Sequence, residues 1–151
     1  MITRACDPYD WPGLLALIQR AFAGMEGRID PPSSLHRMTP ETLAATARRA
    51  EVWVLGDPAQ ACMVLTPKPD GLYLGKLAVE PNLQGRGLGH QMMAFAEDRA
   101  RTLGLPRVQL ETRVELAENH HFYQRLGYIE IARTAHDGYA YPTSVTYAKS
   151  V

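Results

Sequence analysis

The feature that most constrains the fold is an apolar run that leads through closely spaced glycines into a helical pattern. Residues 72–79 are the most apolar strand candidate of the chain, and glycines follow at positions 85, 87 and 89. Residues 87–103 then place one set of side chains at the spacing of a helix face: Leu88, Met92, Phe95, Ala96, Arg99 and Leu103. Glycines let a ligand approach the backbone closely, and a helix start offers unpaired N–H groups with partial positive charge. The segment therefore predicts a cradle for a pyrophosphate group, with Arg86 as a direct charge contact.

Two common nucleotide-binding signatures do not fit this segment. The dinucleotide motif GxGxxG requires a glycine at position 90 or 92, and the chain has His90 and Met92 there. The P-loop requires Ser or Thr after Gly-Lys, but the only Gly-Lys of the chain, at residues 75–76, is followed by leucine inside a predicted strand. The pattern that remains is Gln-x-x-Gly-x-Gly, which begins at Gln84.

The rest of the chain predicts a single α/β domain over residues 1–151. Strands are predicted over residues 2–6, 52–56, 61–66, 72–79, 108–114, 128–133 and 143–148. Helices are predicted over residues 11–23, 87–103 and 116–126, with a further short helix that begins at Pro40 and has Thr39 as its N-cap. Residues 24–38 are rich in Gly, Pro and Ser and are predicted to form a long loop. Hairpins mixed with helical crossovers indicate an α/β layer around one mixed sheet.

Composition and charge exclude several classes of protein. The 151 residues include 16 basic and 16 acidic side chains, so the basic excess typical of a nucleic-acid-binding domain is absent. No stretch approaches the roughly 18 apolar residues of a membrane span, and the first ten residues lack the profile of a secretory signal. Cys6 and Cys62 have no CxxC spacing, so neither a disulfide framework nor a zinc site is expected. We expect a cytoplasmic protein without a nucleic-acid or membrane partner.

Two segments together match a known family in order and spacing. The first is the Gln-x-x-Gly-x-Gly pattern directly after a strand that ends in Leu-Ala-Val-Glu-Pro. The second is Asn-His-His-Phe-Tyr-Gln-Arg-Leu-Gly-Tyr at residues 119–128. On these residues the chain resembles the GCN5-related N-acetyltransferase (GNAT) family. The resemblance implies the GNAT-type acyl-CoA N-acyltransferase fold, a mixed, mostly antiparallel sheet that is split near its centre and carries helices on both faces.

The resemblance also implies an activity. Members of this family transfer an acetyl group from acetyl-CoA to an amine by direct attack, without a covalent enzyme intermediate. No HExxH motif or carboxylate–histidine cluster occurs in the chain, so no metal is expected. The acceptor is expected to be a primary amine of a small molecule or a peptide. Three alternatives stay open: a non-catalytic acyl-CoA sensor, a different acyl-CoA as donor, and a protein amine as acceptor. A homodimer is compatible with the resemblance.

The family places coenzyme A in a V-shaped opening, here between strands that end near Val79 and begin near Val108. The residues that the resemblance assigns to the cofactor are Leu77, Ala78 and Val79 on the first strand, Gln84, Gly85, Arg86, Gly87, Leu88 and Gly89 at the turn, and Asn119, Phe122 and Tyr123 on the later helix. The strand backbone would pair with the pantetheine arm, and the turn N–H groups would hold the pyrophosphate. Many relatives carry asparagine seven residues before the tyrosine and alanine four before it, where this chain has Leu116 and Asn119.

Acyl transfer to an amine requires a neutral amine, a fixed donor for the oxyanion and a proton for the leaving thiolate. A tyrosine, with an unperturbed pKa near 10, suits an alkyl thiol, so Tyr123 is the predicted general acid. Glu111, in the strand that enters the cleft, is a candidate base for the amine, and an ion-pair or surface role is the alternative. Glu26 and Glu80 are weaker candidates, and bulk water can serve an amine of low pKa.

Two loops are candidates for the acceptor side. Residues 25–34 form a long polar segment, and long loops in compact domains are often functional. Residues 136–142 concentrate aromatic rings and hydrogen-bonding groups, although an ordinary turn or a dimer contact is the alternative there. His120 and His121 are adjacent and would point apart on a helix, so they do not form a metal-binding pair.

Overall fold

The computed structural model describes all 151 residues and forms one seven-stranded sheet with four α-helices. The strands are β1 (Ile2–Arg4), β2 (Glu51–Leu55), β3 (Ala61–Lys68), β4 (Gly71–Val79), β5 (Arg107–Arg113), β6 (Ile129–Thr134) and β7 (Ser144–Ser150). The helices are α1 (Trp11–Phe22), α2 (Pro40–Arg49), α3 (Leu88–Thr102) and α4 (Ala117–Arg125). The predicted order of strands and α-helices is confirmed. None of these helices has both the length and the apolar character that crossing a bilayer requires.

The sheet consists of two antiparallel halves that meet at one short parallel contact. The strand order is β1-β2-β3-β4-β5-β7-β6, and every neighbouring pair is antiparallel except β4 with β5. That parallel pairing covers only Leu72–Leu74 of β4 against Val108–Leu110 of β5. Beyond it, the end of β4 and the end of β5 are not paired with each other. The predicted central split is therefore confirmed.

Each face of the sheet carries its own apolar core. Helices α1 and α2 cover one face, and α3 and α4 cover the other, as the resemblance implied. Asp10 caps α1 by accepting a hydrogen bond from the Gly13 N–H at 3.0 Å. Thr39 caps α2, as predicted, and forms a reciprocal capping box with Thr42. These caps begin the two helices immediately after the segments that lead into them.

A β-bulge in β4 reverses which side chains face which core. Opposite β3, the register passes from the pair Cys62–Ala78 to the pair Val64–Gly75, so β4 contains one extra residue. Within this bulge Lys76 has a φ of 52°, which is rare for a residue other than glycine. The side chains of β4 that pack into the α3 core are Leu72, Leu74, Leu77 and Val79. Because of the shift, Ala78 packs against α1 and α2 instead.

Two sequence expectations differ from the structure. Residues 24–38 are not entirely loop, because they include short 3₁₀ helices at Ala23–Met25 and Ser34–Arg37. The predicted inner face of α3 is also wrong in part, since Leu103 is 37% exposed whereas Glu97 is only 9% exposed. Burial of Glu97 is possible because Tyr128 donates a hydrogen bond to its carboxylate at 3.1 Å and Lys149 donates another at 3.0 Å. Neither partner lies near α3 in sequence.

A second buried carboxylate, Glu51, joins β2 to α3 and leads to a stability prediction. It accepts hydrogen bonds from the Arg99 guanidinium and from the Trp53 indole, each at 2.9 Å. Burial alone would raise the pKa of Glu51, but the bonds from Arg99 and Trp53 outweigh it and hold that pKa below its usual range. We expect Glu51→Gln to lower the free energy of unfolding by about 2–3 kcal/mol at pH 7, since Arg99 loses its charge partner.

The pH dependence of this effect has a definite sign. Because the folded-state pKa of Glu51 is depressed, its contribution is complete above the unfolded pKa of about 4.3 and is lost as the pH falls through the folded value. Urea unfolding should therefore show a gap between wild type and Glu51→Gln that is largest at pH 7 and narrows as the pH is lowered below about 4. The matched control is Glu130→Gln, since Glu130 pairs with Arg133 on the surface. Equal stability of the Glu51 variant and wild type at pH 7 would contradict the prediction.

Candidate active site

The split between β4 and β5 opens into a cavity of about 760 Å³. Its walls come from both halves of the sheet, from α2, from α4 and from the segment between α1 and α2. Among the residues singled out in the sequence, Leu77, Glu111, Asn119 and Tyr123 all line this cavity. The structure therefore brings the predicted acid, the predicted base and part of the predicted cofactor-binding strand to one space.

Helix α4 contributes Tyr123 to the cavity and is held against β5 by two polar contacts. The Asn119 amide donates to the Thr112 hydroxyl at 3.2 Å, and the His120 ring lies 2.9 Å from the Arg113 carbonyl oxygen. Tyr123 is 8% exposed, and burial raises the pKa of its hydroxyl to about 12. Because its pKa is raised, the hydroxyl holds its proton at neutral pH. It makes no hydrogen bond within the protein, so it is free to donate that proton to a ligand.

Glu111 is the only carboxylate that lines the cavity. It is exposed on β5. The pKa of the Tyr73 hydroxyl is raised to about 12, mainly because Tyr73 is buried and also because the Glu111 charge lies near it. The two weaker candidates lie elsewhere and have partners of their own. Glu80 forms a salt bridge with Arg20 at 2.7 Å, and Glu26 lies 3.3 Å from the His36 ring nitrogen. Of the three candidate bases, Glu111 alone can reach a molecule in the cavity.

The start of α3 presents a row of free N–H groups. No N–H from residues 85 to 90 donates a hydrogen bond within the protein, and no side chain caps the helix. Gly85 and Gly87 have φ values of 80° and 83°, which L-residues rarely adopt. A Cβ at either position would meet no protein atom within 4 Å, so open space lies in front of this backbone. Unpaired N–H groups at a helix start in open space have the geometry that favours binding of an anion.

The other residues that the sequence assigned to the cofactor surround this helix start. The Gln84 amide donates to the Val79 carbonyl oxygen at 3.3 Å, so it fixes the turn to the end of β4. The Phe122 ring would lie 3.3 Å from a Cβ at Gly89, and its centroid is 5.1 Å from that of Tyr123. Phe122 thus connects the start of α3 with the cavity. Arg86 is exposed and Leu88 is partly buried against the α3 core, whereas the Ala78 side chain lies in the opposite core and leaves only its backbone for a ligand.

The two candidate acceptor loops meet beside the cavity. The Tyr139 hydroxyl donates to the Asp30 carboxylate at 2.6 Å, which raises the pKa of Tyr139 to about 12. The Arg113 guanidinium donates to the carbonyl oxygens of Pro31 at 2.6 Å and Pro32 at 3.3 Å. A salt bridge of 2.7 Å also joins Arg28 to Glu118 of α4. The long segment after α1 is therefore fixed to β5, to α4 and to the β6–β7 loop.

Sequence reasoning missed the cationic residues of this cavity. Arg37, Arg49, Lys76 and Arg113 all line it. Lys76 carried one sequence signal, since it is the only charged residue within the apolar run 72–79. The arginines carried none, because they belong to separate segments that only the folded chain brings together.

Comparisons with known proteins identify the family of this chain. The sequence profile described as the acetyltransferase (GNAT) family matches residues 11–128. A 53-residue stretch is 38% identical to the aminoalkylphosphonate N-acetyltransferase of Salmonella typhimurium, and the match covers 35% of this chain and 34% of that protein. The chain thus spans about a third of the length of this curated relative.

Solved structures of two further proteins share the fold over nearly the whole chain. One is a GNAT family acetyltransferase from Elizabethkingia anophelis with acetyl-CoA bound, at a TM-score of 0.71 and 14% identity over 100% of this chain and 97% of that one. The other is the ribosomal-protein-S18-alanine N-acetyltransferase of Escherichia coli, at a TM-score of 0.71 and 20% identity over 99% of this chain and 94% of that one. The resemblance found in residues 72–128 is confirmed, and the chain belongs to the acetyltransferase (GNAT) family.

Proposed function

We propose that this protein transfers an acetyl group from acetyl-CoA to the primary amine of a small molecule. The observation that carries the proposal is the row of free N–H groups at residues 85–90, connected through Phe122 to a cavity that contains Tyr123 and Glu111. A helix start suited to a pyrophosphate, beside a proton donor and a candidate base, is an arrangement that suits acyl transfer from a CoA thioester. The acetyl-CoA found in the Elizabethkingia anophelis relative supports the donor.

Binding of the donor is assigned to the backbone. The N–H groups of Gly85, Arg86, Gly87, Leu88 and Gly89 would hold the pyrophosphate, helped by the dipole of α3 and by the Arg86 charge. The unpaired edge of β4 at Leu77, Ala78 and Val79 would pair with the pantetheine arm, because β5 does not cover it. Gln84 and Phe122 would keep the turn and the helix start in place, and Asn119 would contact the arm from α4.

The acetyl thioester supplies an activated acyl carbon, and residues of the chain handle the protons. The amine nitrogen bonds to the acyl carbon and the carbon–sulfur bond breaks, so the amine loses a proton and the thiolate gains one. Glu111 would take the proton from the amine, directly or through water. Tyr123 would give its proton to the thiolate and recover one from solvent. Neither cysteine lines the cavity, and burial raises the pKa of the Cys62 thiol to about 12, which supports direct attack by the amine.

The proposal also covers the kind of acceptor and the location of the protein in the cell. The name of the Salmonella typhimurium relative favours a small amine, whereas that of the Escherichia coli relative keeps a protein amine as an alternative. A larger acyl-CoA as the donor and a non-catalytic sensor role are the two competing hypotheses about the cofactor site. Cys6 and Cys62 are both free thiols, which supports a cytoplasmic location.

One experiment separates these possibilities. The purified protein is titrated calorimetrically with acetyl-CoA, CoA and NAD, and thiol release from acetyl-CoA is then followed with a panel of amines. Saturable binding of both CoA forms without NAD binding, together with amine-dependent thiol release, is the expected result. Binding without release for any amine would favour the sensor, and faster release from propionyl-CoA or succinyl-CoA would favour another donor. No binding of either CoA form would refute the proposal.

The role of Glu111 leads to a separate prediction. Glu111→Gln should lower kcat/KM by about 10- to 100-fold at neutral pH, and the loss should shrink at alkaline pH, where more of the amine is already neutral. The measurement is the pH profile of kcat/KM for both proteins. The control is Glu41→Gln, an exposed residue in the first turn of α2 outside the cavity. A loss that stays constant with pH would argue that Glu111 does not act as a base.

A further inference from the structure

The wall of the cavity combines several cations with one carboxylate. Arg37, Arg49, Lys76 and Arg113 line it, and Glu111 is the only acidic residue among the lining side chains. Eight of the 16 lysines and arginines of the chain form salt bridges with carboxylates, but none of these four does. Like charges repel one another, and an anion bound among them would offset that repulsion.

The cations come from separate elements that converge on the cavity. Arg37 ends the 3₁₀ helix Ser34–Arg37, and Arg49 ends α2. Thr42 and Thr46, which precede Arg49 at helical spacing, line the same wall, and the Thr46 hydroxyl accepts a hydrogen bond from the Arg49 guanidinium at 3.2 Å. Lys76 enters from the bulge of β4 on the opposite side. An anion between them would be bound from α2 and from the sheet at once.

Lys76 shows how its surroundings act on a positive charge. Its ammonium donates to the Ser34 hydroxyl at 3.1 Å and has no carboxylate partner. Burial lowers the pKa of Lys76, and the charges of Arg113 and Arg37 lower it further. A bound anion would oppose each of these effects. The cluster therefore has the properties of a binding site whose ligand carries the missing negative charge.

The phosphates of coenzyme A do not explain this cluster. Residues 85–90, which fit the pyrophosphate, are not part of the cavity wall. They begin α3, which covers one face of the sheet, whereas Arg37 and Arg49 belong to the segment and helix on the other face. Arg113 is partly engaged, because it donates to the carbonyl oxygens of Pro31 and Pro32. Arg49 and Lys76 donate only to the hydroxyls of Thr46 and Ser34, so their charges and remaining donors, together with Arg37, are available to a second ligand.

We propose that the acceptor carries an anionic group at some distance from its amine, and that Arg37, Arg49 and Lys76 bind this group while the amine lies towards Glu111. The anionic group is a phosphonate, a phosphate ester or a carboxylate. The inference rests on the proposed function, because it names the acceptor of the same transfer. Three cations match a doubly charged phosphonate better than a carboxylate. The anionic group takes no part in bond formation, so the products remain an N-acetyl amine and free CoA.

Amines of similar length and different charge test the inference. Initial rates are measured with 2-aminoethylphosphonate, β-alanine, ethanolamine and 1,2-diaminoethane. We expect kcat/KM for at least one of the two anionic amines to exceed that for ethanolamine by about tenfold or more, with 1,2-diaminoethane the poorest acceptor. Whichever anionic amine is better identifies the group. Equal or faster acetylation of ethanolamine or 1,2-diaminoethane would overturn the inference and leave the proposed function intact.

Variants assign the effect to particular residues. The double variant Arg37→Ala/Arg49→Ala should lower kcat/KM for the anionic amine by about 10- to 100-fold. The kcat/KM for ethanolamine and the KM for acetyl-CoA should each change by less than about threefold. Arg48→Ala is the matched control, since Arg48 neighbours Arg49 on α2 but pairs with Asp7 outside the cavity. An equal loss for all amines in the double variant would contradict the assignment.

A binding measurement keeps the inference testable without turnover. Ethylphosphonate and propionate, which lack the amine, are titrated calorimetrically into the protein with and without saturating CoA. This measurement decides the case in which no amine is acetylated. Binding of either anion that is lost in Arg37→Ala/Arg49→Ala and kept in Arg48→Ala supports the anion site. If wild type binds neither anion, the inference is refuted. Absence of acetyl-CoA binding is the separate result that refutes the proposed function, and the anion titration remains decisive in that case.

Discussion

The Tyr123→Phe variant is expected to lose about 100-fold or more in kcat, while its KM for acetyl-CoA changes by less than about threefold. Tyr123 makes no hydrogen bond within the protein, so removing its hydroxyl leaves the packing of α4 unchanged and the variant should fold normally. Burial raises the pKa of this hydroxyl to about 12. The tyrosine therefore remains protonated wherever the enzyme is assayed, and wild-type activity should show no decline from its ionisation below about pH 11.

The measurement is steady-state kinetics of acetyl transfer between pH 6 and 10, with thermal unfolding as a check on the fold. The control is Tyr141→Phe, because Tyr141 is 57% exposed and does not line the cavity. A kcat for Tyr123→Phe within threefold of wild type would show that the residue only packs the junction of α4 and the sheet.

Gly87→Glu should weaken binding of both acetyl-CoA and CoA by at least about 100-fold. Gly87 has a φ of 83° and stands at the N-cap of α3 with open space in front of it. A glutamate there places a carboxylate where the pyrophosphate is expected to bind, and like charges at that distance repel strongly. The left-handed backbone also costs about 1–2 kcal/mol for an L-residue, so stability needs its own control.

Gly104→Glu provides that control. Gly104 has a φ of 72°, also faces open space, and lies just beyond the other end of α3. Both variants should therefore show a similar loss of thermal stability, but only Gly87→Glu should lose CoA binding in a calorimetric titration. If the two variants bind acetyl-CoA equally well, the turn at residues 85–89 is a structural connection and the pyrophosphate binds elsewhere.

The parts of the fold that sequence predicted are those set by local pattern. Glycines at 85, 87 and 89 and the helical spacing after them are encoded within one segment, and so is the approach of Asn119 and Tyr123 one turn apart on α4. The order of elements follows from the same local signals. For this reason the start of α3 could be predicted from local pattern, whereas the position of the split followed only from the resemblance to the GNAT family.

The parts that sequence did not predict depend on distant residues. The bulge at Lys76 is absent from the pattern because residues 72–79 read as one apolar strand, and only pairing with β3 shows the extra residue. Burial of Glu97 depends on Tyr128 and Lys149, which come from other elements. The group of cations that lines the cavity arises in the same way, since Arg37 and Arg49 come to lie beside Lys76 and Arg113 of the sheet only in the folded chain.

The way Arg113 anchors the segment after α1 affects how such an enzyme can diversify. Arg113 donates to the carbonyl oxygens of Pro31 and Pro32, which are groups that every amino acid possesses. Side chains along that segment can therefore be exchanged while its attachment to β5 persists. Mutation can therefore change the side chains of this segment, which is proposed to meet the acceptor, without loss of its attachment to β5, so single substitutions could alter specificity.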